Sequence, residues 1–293
     1  MTAGLIDQVA IRTHLTALHR HAATVLNGIN RRAVIQLCTK FPDAPGMCVS
    51  AFDVGDIDCM TRTAVEDAQA GRNCFCETRL VRCGLPRERG KAYATLATIA
   101  IVVDHDADRN RAGRLHDNAS LTVETSPPNN VHQWFLTQPL DPDTAKNVGD
   151  QIRKLSGADS CTGVVTGCYR ISGTPNFVDQ GKIDRGRITT PTRLISVSDK
   201  VWSVDELIAA FSRPTPRRNS LLELKVSRPA TPAMDRSSVF MSCIHTARDA
   251  GWTPDDLEKL MRANGQGCSA KYLQPTDRLH QEILRAWSKV VKP

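Results

Sequence analysis

Residues 98–108 have the sequence TIAIVVDHDAD and give the clearest indication of the fold. The first six, TIAIVV, are rich in apolar and β-branched residues, which is typical of a buried strand. The strand runs into Asp104 and Asp106, and side chains alternate along a strand, so both carboxylates lie on one face and His105 on the other. Two carboxylates held close together repel unless a cation lies between them. This pattern predicts a site for Mg²⁺ or Mn²⁺, although a solvated acidic turn has the same composition.

Two more strands are predicted downstream, at residues 121–125 (LTVET) and 131–137 (VHQWFLT). The turn SPPNN joins them, with Ser126 at its start and His132 just beyond it. An imidazole or a hydroxyl at this position is able to donate a hydrogen bond to a phosphate oxygen. A histidine in the core or on the surface is the alternative interpretation of His132.

The next candidates follow an amphipathic helix predicted at residues 141–155, where Asp141 is the N-cap and Pro142 the first helical residue. Asp159 lies in the loop after this helix. Arg170 then begins the stretch RISGTPN, which ends at Asn176. A strand with an arginine followed by a Gly-containing turn is able to present a guanidinium to phosphate. The alternative interpretation is an ordinary turn, because glycine, proline and asparagine are common turn residues.

The upstream half predicts a long helix at residues 5–40, a short helix at 64–70, and a strand at 72–83 with basic residues on one face. A basic loop follows at 84–91. Basic residues on both sides of the strand that carries Asp104 are candidates to follow the backbone of a nucleic-acid template, or form an ordinary solvated face: Arg87, Arg89, Lys91, Arg109 and Arg111.

The composition suits a globular protein with a phosphate-rich partner. The 293 residues carry a net charge of +7, and 41% of them are hydrophobic. No apolar run reaches the roughly 20 residues of a membrane span, and no signal peptide is evident, so we expect no membrane partner and a cytoplasmic location. The ten cysteines lack the paired spacing of a zinc site, so we expect free thiols.

The chain is predicted to divide into three parts. Residues 1–212 are expected to form a domain of mixed strands and helices, residues 213–235 a Pro-rich linker, and residues 236–293 a helical domain. Three helices are predicted in the last part, at about 237–250, 254–264 and 276–291.

These motifs, in this order, resemble those of the RepB-like primases of the archaeo-eukaryotic primase superfamily. The three segments are IVVDHDAD, TVETSPPNNVHQWFL and GADSCTGVVTGCYRISGTPN. The upstream segment GRNCFCETRL and the C-terminal helices are similar to the corresponding parts of that group. Phe177 follows Asn176 where many relatives have a basic residue, and Lys182 is the candidate to replace it.

The resemblance implies an α+β fold of the primase type, with a mixed or antiparallel sheet followed by a small all-α domain. It implies metal ligation by Asp104, Asp106 and Asp159, and nucleotide contacts from Ser126, His132, Arg170 and Asn176. The implied function is a DNA primase or primase-polymerase of a plasmid or phage. Such an enzyme joins nucleoside triphosphates on single-stranded DNA by two-metal nucleotidyl transfer, and a replicative helicase is a candidate partner. A catalytically inactive replication or origin-binding protein and a metal-dependent nuclease are the alternatives.

Overall fold

The computed structural model describes residues 3–29, 31–84, 89–106, 115–127, 130–184, 186–212, 220–227, 236–249, 251–273 and 277–290. The chain separates into two compact units, Met1–Ser212 and Arg213–Pro293. The strands of the first unit are β1 (Ala33–Lys40), β2 (Cys48–Asp53), β3 (Asn73–Glu77), β4 (Arg79–Arg82), β5 (Thr95–His105), β6 (Leu121–Ser126), β7 (Asn130–Leu140), β8 (Cys168–Arg170), β9 (Pro175–Asn176), β10 (Thr190–Pro191), β11 (Arg193–Val197) and β12 (Val201–Trp202). Its α-helices are α1 (Gln8–Ile29), α2 (Ile57–Gln69), α3 (Pro142–Ser156), α4 (Gln180–Ile183) and α5 (Val204–Ser212).

The strands of the first unit form one large sheet with β5 near its centre. The order is β11-β6-β7-β5-β4-β1-β3-β8, with β2 added to β1 and β12 added to β7, while β9 and β10 form a separate pair. Neighbouring strands are antiparallel except β12, which is parallel to β7. This mixed, mainly antiparallel sheet with helices confirms the predicted α+β class.

Helices cover both faces of the sheet because alternate residues of β5 point in opposite directions. Ala100 and Val102 face α1 and α2, in a core that includes Ile11, Leu15, Leu18, Met60 and Ala64. Ile101 and Val103 face α3 and α5, in a core that includes Val148, Ile152, Leu207 and Phe211. The strand predicted from TIAIVV is therefore buried on both faces, as its continuous apolar run indicates.

The long helix predicted at residues 5–40 is wrong in its last part. Helix α1 ends at Ile29, and Ala33–Lys40 is strand β1. This strand pairs with β2, β3 and β4, and it is buried on both faces. A strand buried on both faces shows no period-two alternation, so its apolar residues are easily mistaken for the continuation of a helix.

The predicted basic strand at residues 72–83 is two strands, β3 and β4, and one of its arginines does not face solvent. Arg79 is fully buried, and its Nε donates to Oε2 of Glu77 at 2.6 Å. Nη1 also donates to the hydroxyl of Thr95 and to the carbonyl of Lys91. Arg79 is therefore a structural residue that cannot contact a template.

The second unit is helical, and each of the three predicted helices is present. Its helices are α6 (Ser220–Ser227), α7 (Arg236–Asp249), α8 (Pro254–Ala263), α9 (Ala270–Leu273) and α10 (Leu279–Val290). They surround a core that includes Leu222, Phe240, Ile244, Leu257 and Ile283. Helix α6 lies within the predicted 213–235 linker, because Leu222 and Val226 give it an apolar side that packs into this core.

Among the described residues, no helix is long and apolar enough to cross a membrane. All ten cysteines are free, and five of them are buried: Cys38, Cys74, Cys76, Cys243 and Cys268.

A contact between two glycines fixes the loop after α3. A Cβ atom built on Gly149 of α3 would lie 2.1 Å from the carbonyl oxygen of Gly163, and one on Gly163 would lie 2.4 Å from the Cα of Gly149. Gly163 also has a φ of +68°, which disfavours other residues. The backbone of the loop therefore lies directly against the helix.

We predict that Gly149→Ala destabilises the first unit by about 1–3 kcal/mol, because the new methyl group overpacks against the backbone of Gly163. Gly28→Ala is the matched control, since Gly28 also lies in a helix and has no atom within 4 Å of its Cβ position. The control is expected to be neutral or stabilising by up to about 1 kcal/mol. Urea unfolding followed by circular dichroism measures both, and equal effects would contradict the contact.

His14 links α1 to the segment after β8 and makes the fold sensitive to acid. The ring is fully buried, its Nδ1 accepts a hydrogen bond from the amide of Ser172 at 3.2 Å, and its edge packs on Trp134. Burial, with a smaller contribution from the nearby His132, lowers the pKa of His14 to about 3. The folded state therefore resists protonation of a group that titrates near 6.5 in the unfolded chain.

We predict that stability is complete above about pH 6.5 and falls as the pH drops from there toward 3, with His14 contributing a slope of about 1.4 kcal/mol per pH unit. His14→Asn, whose amide oxygen is able to accept the Ser172 hydrogen bond, is expected to flatten this slope. The exposed His245 gives the control, His245→Asn. Urea unfolding between pH 4 and 8, at intervals of about one unit, measures the slope. An unchanged slope in His14→Asn would contradict the assignment.

Candidate active site

The end of β5 brings the first acidic residue beside the predicted histidine. Asp104 pairs with His132 of β7 across the sheet, so their side chains lie on the same face. Nε2 of His132 lies 3.3 Å from Oδ1 of Asp104, and its Nδ1 is buried with no hydrogen-bond partner in the described part of the chain. The ring also packs edge-on against Tyr169. His132 is thus placed to orient the Asp104 carboxylate.

Asp159 is not part of the sheet, and backbone hydrogen bonds hold it beside Asp104. Its amide donates to the carbonyl of Asp104 at 2.9 Å, and the amide of Gly163 donates to the carbonyl of Val102 at the same distance. In return, the amide of Asp104 donates to the hydroxyl of Thr162 at 3.0 Å. The loop after α3 therefore docks along β5, and Asp159 becomes 95% buried beside Asp104.

A third potential ligand, Cys161, joins these two carboxylates. The ligand atoms of Asp104, Asp159 and Cys161 all lie within 4.8 Å of one another. Burial raises the pKa of the Cys161 thiol to about 11, and the negative charges of Asp104 and Asp159 raise it further. Two carboxylate oxygens fit a hard divalent cation, so Asp104 and Asp159 would hold one, whereas the sulfur of Cys161 suits a softer cation.

Asp106 has a different partner. Its Oδ1 lies 2.9 Å from Nη2 of Arg187, and both side chains are 18% exposed. Arg187 lies in the loop after α4, where its amide donates to the carbonyl of Lys182. The structure therefore brings together Asp104 and Asp159 as the sequence predicted, whereas Asp106 forms an ion pair that the sequence did not predict.

Three cationic side chains lie close to one another, and two of them lie near the acidic residues: Arg170 near Asp104 and Arg187 beside Asp106. Burial lowers the pKa of Arg170 to about 10, which Cys74 and Asp104 oppose and Arg187 reinforces. Burial also lowers the pKa of Lys182, with a further contribution from Arg170. Mutual effects of this kind require the charges to be close together. We call Arg170, Lys182 and Arg187 the cationic cluster.

Local hydrogen bonds fix the cationic cluster. Nη1 of Arg170 donates to Oδ1 of Asn73 at 2.7 Å, and its guanidinium lies over the ring of Phe75. Nδ2 of Asn73 in turn donates to the carbonyl of Phe177. Lys182 Nζ lies 3.3 Å from Asp179, the residue that caps α4. Lys182 thus lies beside Arg170 although it does not follow Asn176 directly.

Ser126 and Asn176 make hydrogen bonds at the end of β6. Nδ2 of Asn130 donates to the hydroxyl of Ser126 at 3.0 Å, and Nδ2 of Asn176 donates to the carbonyl of Thr125 at 2.8 Å. Both Ser126 and Asn176 are buried. A nucleotide contact by either of them remains a prediction.

The predicted template-binding residues are only partly described. Arg89 and Lys91 are exposed. Arg87, Arg109 and Arg111 lie outside the described residues. The role of all five in nucleic-acid binding stays a prediction.

Two residues of the site were not predicted from the sequence, the potential ligand Cys161 and the Asp106 partner Arg187, for different reasons. Cys161 lies two residues after Asp159, the spacing at which Asp106 follows Asp104, so a search for ligands of any type in that loop would have found it. Arg187 meets Asp106 across 81 residues of sequence, and only the turn at Gly186, with a φ of +77°, hints that the chain reverses there.

A second acidic group lies on the helical unit and does not resemble a metal centre. Asp255, Glu258 and His280 have ligand atoms within 4.8 Å of one another. Glu258 forms ion pairs with Arg262 and His280, and the cluster is largely exposed. These contacts are those of an ordinary surface salt-bridge network.

No protein-family model and no curated protein sequence matches the chain. Among solved structures, the chain is similar to the AEP domain of the primase-polymerase of cyanophage S-2L, with 12% identity and a TM-score of 0.47 over 71% of this chain and 99% of that one. It is also similar to the primase RepB′, with 15% identity and a TM-score of 0.42 over 94% of both chains. The catalytic domain of primase RepB′ in complex with initiator DNA gives 15% identity and a TM-score of 0.40, over 68% of this chain and 93% of that one.

All three TM-scores are below 0.5, so the geometry of the site carries the conclusion about function.

Proposed function

We propose that the chain is a DNA primase or primase-polymerase. In this function it joins nucleoside triphosphates on single-stranded DNA, releases pyrophosphate and requires Mg²⁺ or Mn²⁺. The setting we propose is the replication of a plasmid or phage in the cytoplasm. The observation that carries the proposal is the convergence of Asp104 and Asp159, from a strand and a distant loop, beside the cationic cluster.

Nucleotidyl transfer needs negative groups that hold cations and positive groups that bind the triphosphate. In the proposed site the carboxylates have the first role and the cationic cluster has the second. Divalent cations, when bound to the carboxylates, would activate the 3′-hydroxyl and stabilise the leaving pyrophosphate. Arg170 and Lys182 are placed to receive the negative charge of a triphosphate. A nuclease needs the carboxylates but has no comparable need for buried cations beside them.

Asp104 and Asp159 are proposed as the first metal ligands, with Cys161 beside them and Asp106 as a further ligand. His132 would hold Asp104 in position through the contact at 3.3 Å. Asn73 would hold the Arg170 guanidinium toward the site. Ser126 and Asn176, which make hydrogen bonds at the end of β6, are proposed to contact the nucleotide.

The other parts of the chain are assigned by the same proposal. Residues 1–212 would be the catalytic domain and residues 236–293 a helical domain that helps to engage the template, joined through residues 213–235. Arg87, Arg89, Lys91, Arg109 and Arg111 would follow the template backbone. A replicative helicase is a proposed partner in the same process.

We predict that Asp104→Asn and Asp159→Asn each lower synthesis by about a hundredfold or more, because each removes a charge that holds a catalytic cation. The assay is incorporation of labelled nucleotides on a single-stranded circular template without an added primer, with Mg²⁺ or Mn²⁺. Asp150→Asn is the matched control, because Asp150 pairs with Lys146 and Arg153 on α3, outside the site.

Products that disappear on chelation and in both site variants, but not in Asp150→Asn, are the expected result. Full activity in either site variant would refute the metal assignment. Binding to single strands with no product at any cation concentration would favour the inactive replication protein, and shortening of the template would favour the nuclease.

Cys161 predicts a preference among cations. A thiol beside two carboxylates favours softer cations over Mg²⁺. We expect Cys161→Ser to weaken Cd²⁺ binding by roughly tenfold or more, to abolish the ultraviolet charge-transfer band of a Cd–thiolate bond, and to leave Mg²⁺ binding nearly unchanged. Cys83→Ser, at another exposed cysteine, is the control. A charge-transfer band that persists in Cys161→Ser would show that the cation binds elsewhere.

A further inference from the structure

Arg187 forms an ion pair with Asp106, a carboxylate that the proposed reaction needs as a metal ligand. Asp106 lies two residues beyond Asp104, just past the end of β5, and its Oδ1 lies 2.9 Å from Nη2 of Arg187. With both side chains 18% exposed, the pair is poorly screened by solvent, so it is stronger than a surface ion pair. A cation that takes Asp106 as a ligand must first displace this guanidinium.

The backbone holds Arg187 beside the rest of the cationic cluster. The amide of Gly186 donates to the carbonyl of Ile183, and the amide of Arg187 donates to the carbonyl of Lys182 at 3.0 Å. Arg187 therefore leaves the turn next to Lys182, with Arg170 close enough for the charges to affect each other. Its guanidinium contacts the Asp106 carboxylate and lies within range of the positive charges of Arg170 and Lys182.

We propose that Arg187 exchanges partners when substrate binds: it holds Asp106 in the free protein, and it moves to a triphosphate oxygen when Asp106 takes a cation. The inference rests on the proposed function and deepens it, because it assigns to one residue the coupling between the cation and the nucleotide.

Electrostatics gives the direction of this coupling. A cation that binds alone breaks the Arg187–Asp106 ion pair, and the guanidinium then lies beside the like charges of Arg170 and Lys182 without that contact. A triphosphate that binds alone breaks the same ion pair by drawing Arg187 away from Asp106. When both bind, the guanidinium pairs with phosphate, for which its geometry is well suited, and the carboxylate pairs with the cation. Each ligand therefore favours the binding of the other, by the same factor in both directions.

The exchange predicts opposite effects of Arg187→Gln on two ligands measured separately in the full chain. Mn²⁺ binding without nucleotide, followed by the electron paramagnetic resonance signal of free Mn²⁺, is expected to become about fivefold tighter, because no guanidinium competes for Asp106. Binding of a non-hydrolysable nucleoside triphosphate with a chelator present, followed by calorimetry, is expected to become about tenfold weaker, because one of its cations is gone.

Two further variants complete the test. Arg153→Gln also breaks an Arg–Asp pair in the first unit, outside the site, and is expected to change neither affinity. Arg187→Lys keeps the charge without the planar fork, so Mn²⁺ binding is expected to stay near the wild-type value while triphosphate binding weakens by less than in Arg187→Gln. Circular dichroism establishes that each variant is folded, and Arg187→Lys alone still tests the exchange if Arg187→Gln does not fold.

The outcomes separate this inference from the proposed function. If Arg187→Gln weakens both ligands, or leaves Mn²⁺ binding unchanged, the exchange is refuted while the primase proposal stands. If the wild-type chain binds neither Mn²⁺ nor the triphosphate, the proposed function itself fails. Tighter Mn²⁺ binding with weaker triphosphate binding supports the exchange if Arg187→Gln no longer tightens Mn²⁺ binding in an Asp106→Asn background. The same tightening without Asp106 would show that only a nearby positive charge was removed, and it would refute the exchange.

Discussion

The docking of one loop along strand β5 is the contact on which the candidate site depends. Two backbone hydrogen bonds, from Asp159 to Asp104 and from Gly163 to Val102, align the loop with the strand as an additional strand would be aligned. The hydroxyl of Thr162 satisfies the amide of Asp104 at the same point. The approach is possible because Gly149 and Gly163 have no side chains between helix and loop. Without this docking, Asp104 and Asp106 at the end of β5 would lack the carboxylate of Asp159.

Two groups of opposite charge lie near that contact. The negative group is formed by the carboxylates of Asp104, Asp106 and Asp159, and the positive group is the cationic cluster. Burial disfavours the charged form of every group in such a site, so each charge needs a nearby partner. In the free protein these partners are mostly internal, as Arg187 is for Asp106 and Asp179 is for Lys182. The protein has to rearrange some of these ion pairs when it binds charged ligands.

Much of the centre of the first unit was predictable from local patterns, and its periphery was not. The run TIAIVV identified β5, and Asp141 with Pro142 identified the start of α3, because burial on both faces and helix capping leave clear local signals. The change from helix α1 to strand β1 was missed, since β1 is held by pairing with three strands that are distant in sequence. The pairing of Arg187 with Asp106, which are 81 residues apart, was missed for the same reason.

The contact between Gly149 and Gly163 has a consequence for the order in which the molecule assembles. Strands β5, β6 and β7 follow one another closely along the chain and pair as neighbours, so the part of the sheet that carries Asp104 and His132 depends on short connections. Asp159 arrives only after α3 has packed on the sheet closely enough for the two glycine backbones to meet. A chain arrested before that step would have most of its secondary structure and half of its acidic centre. The complete acidic centre therefore requires that α3 is packed on the sheet, and the sheet alone does not form it.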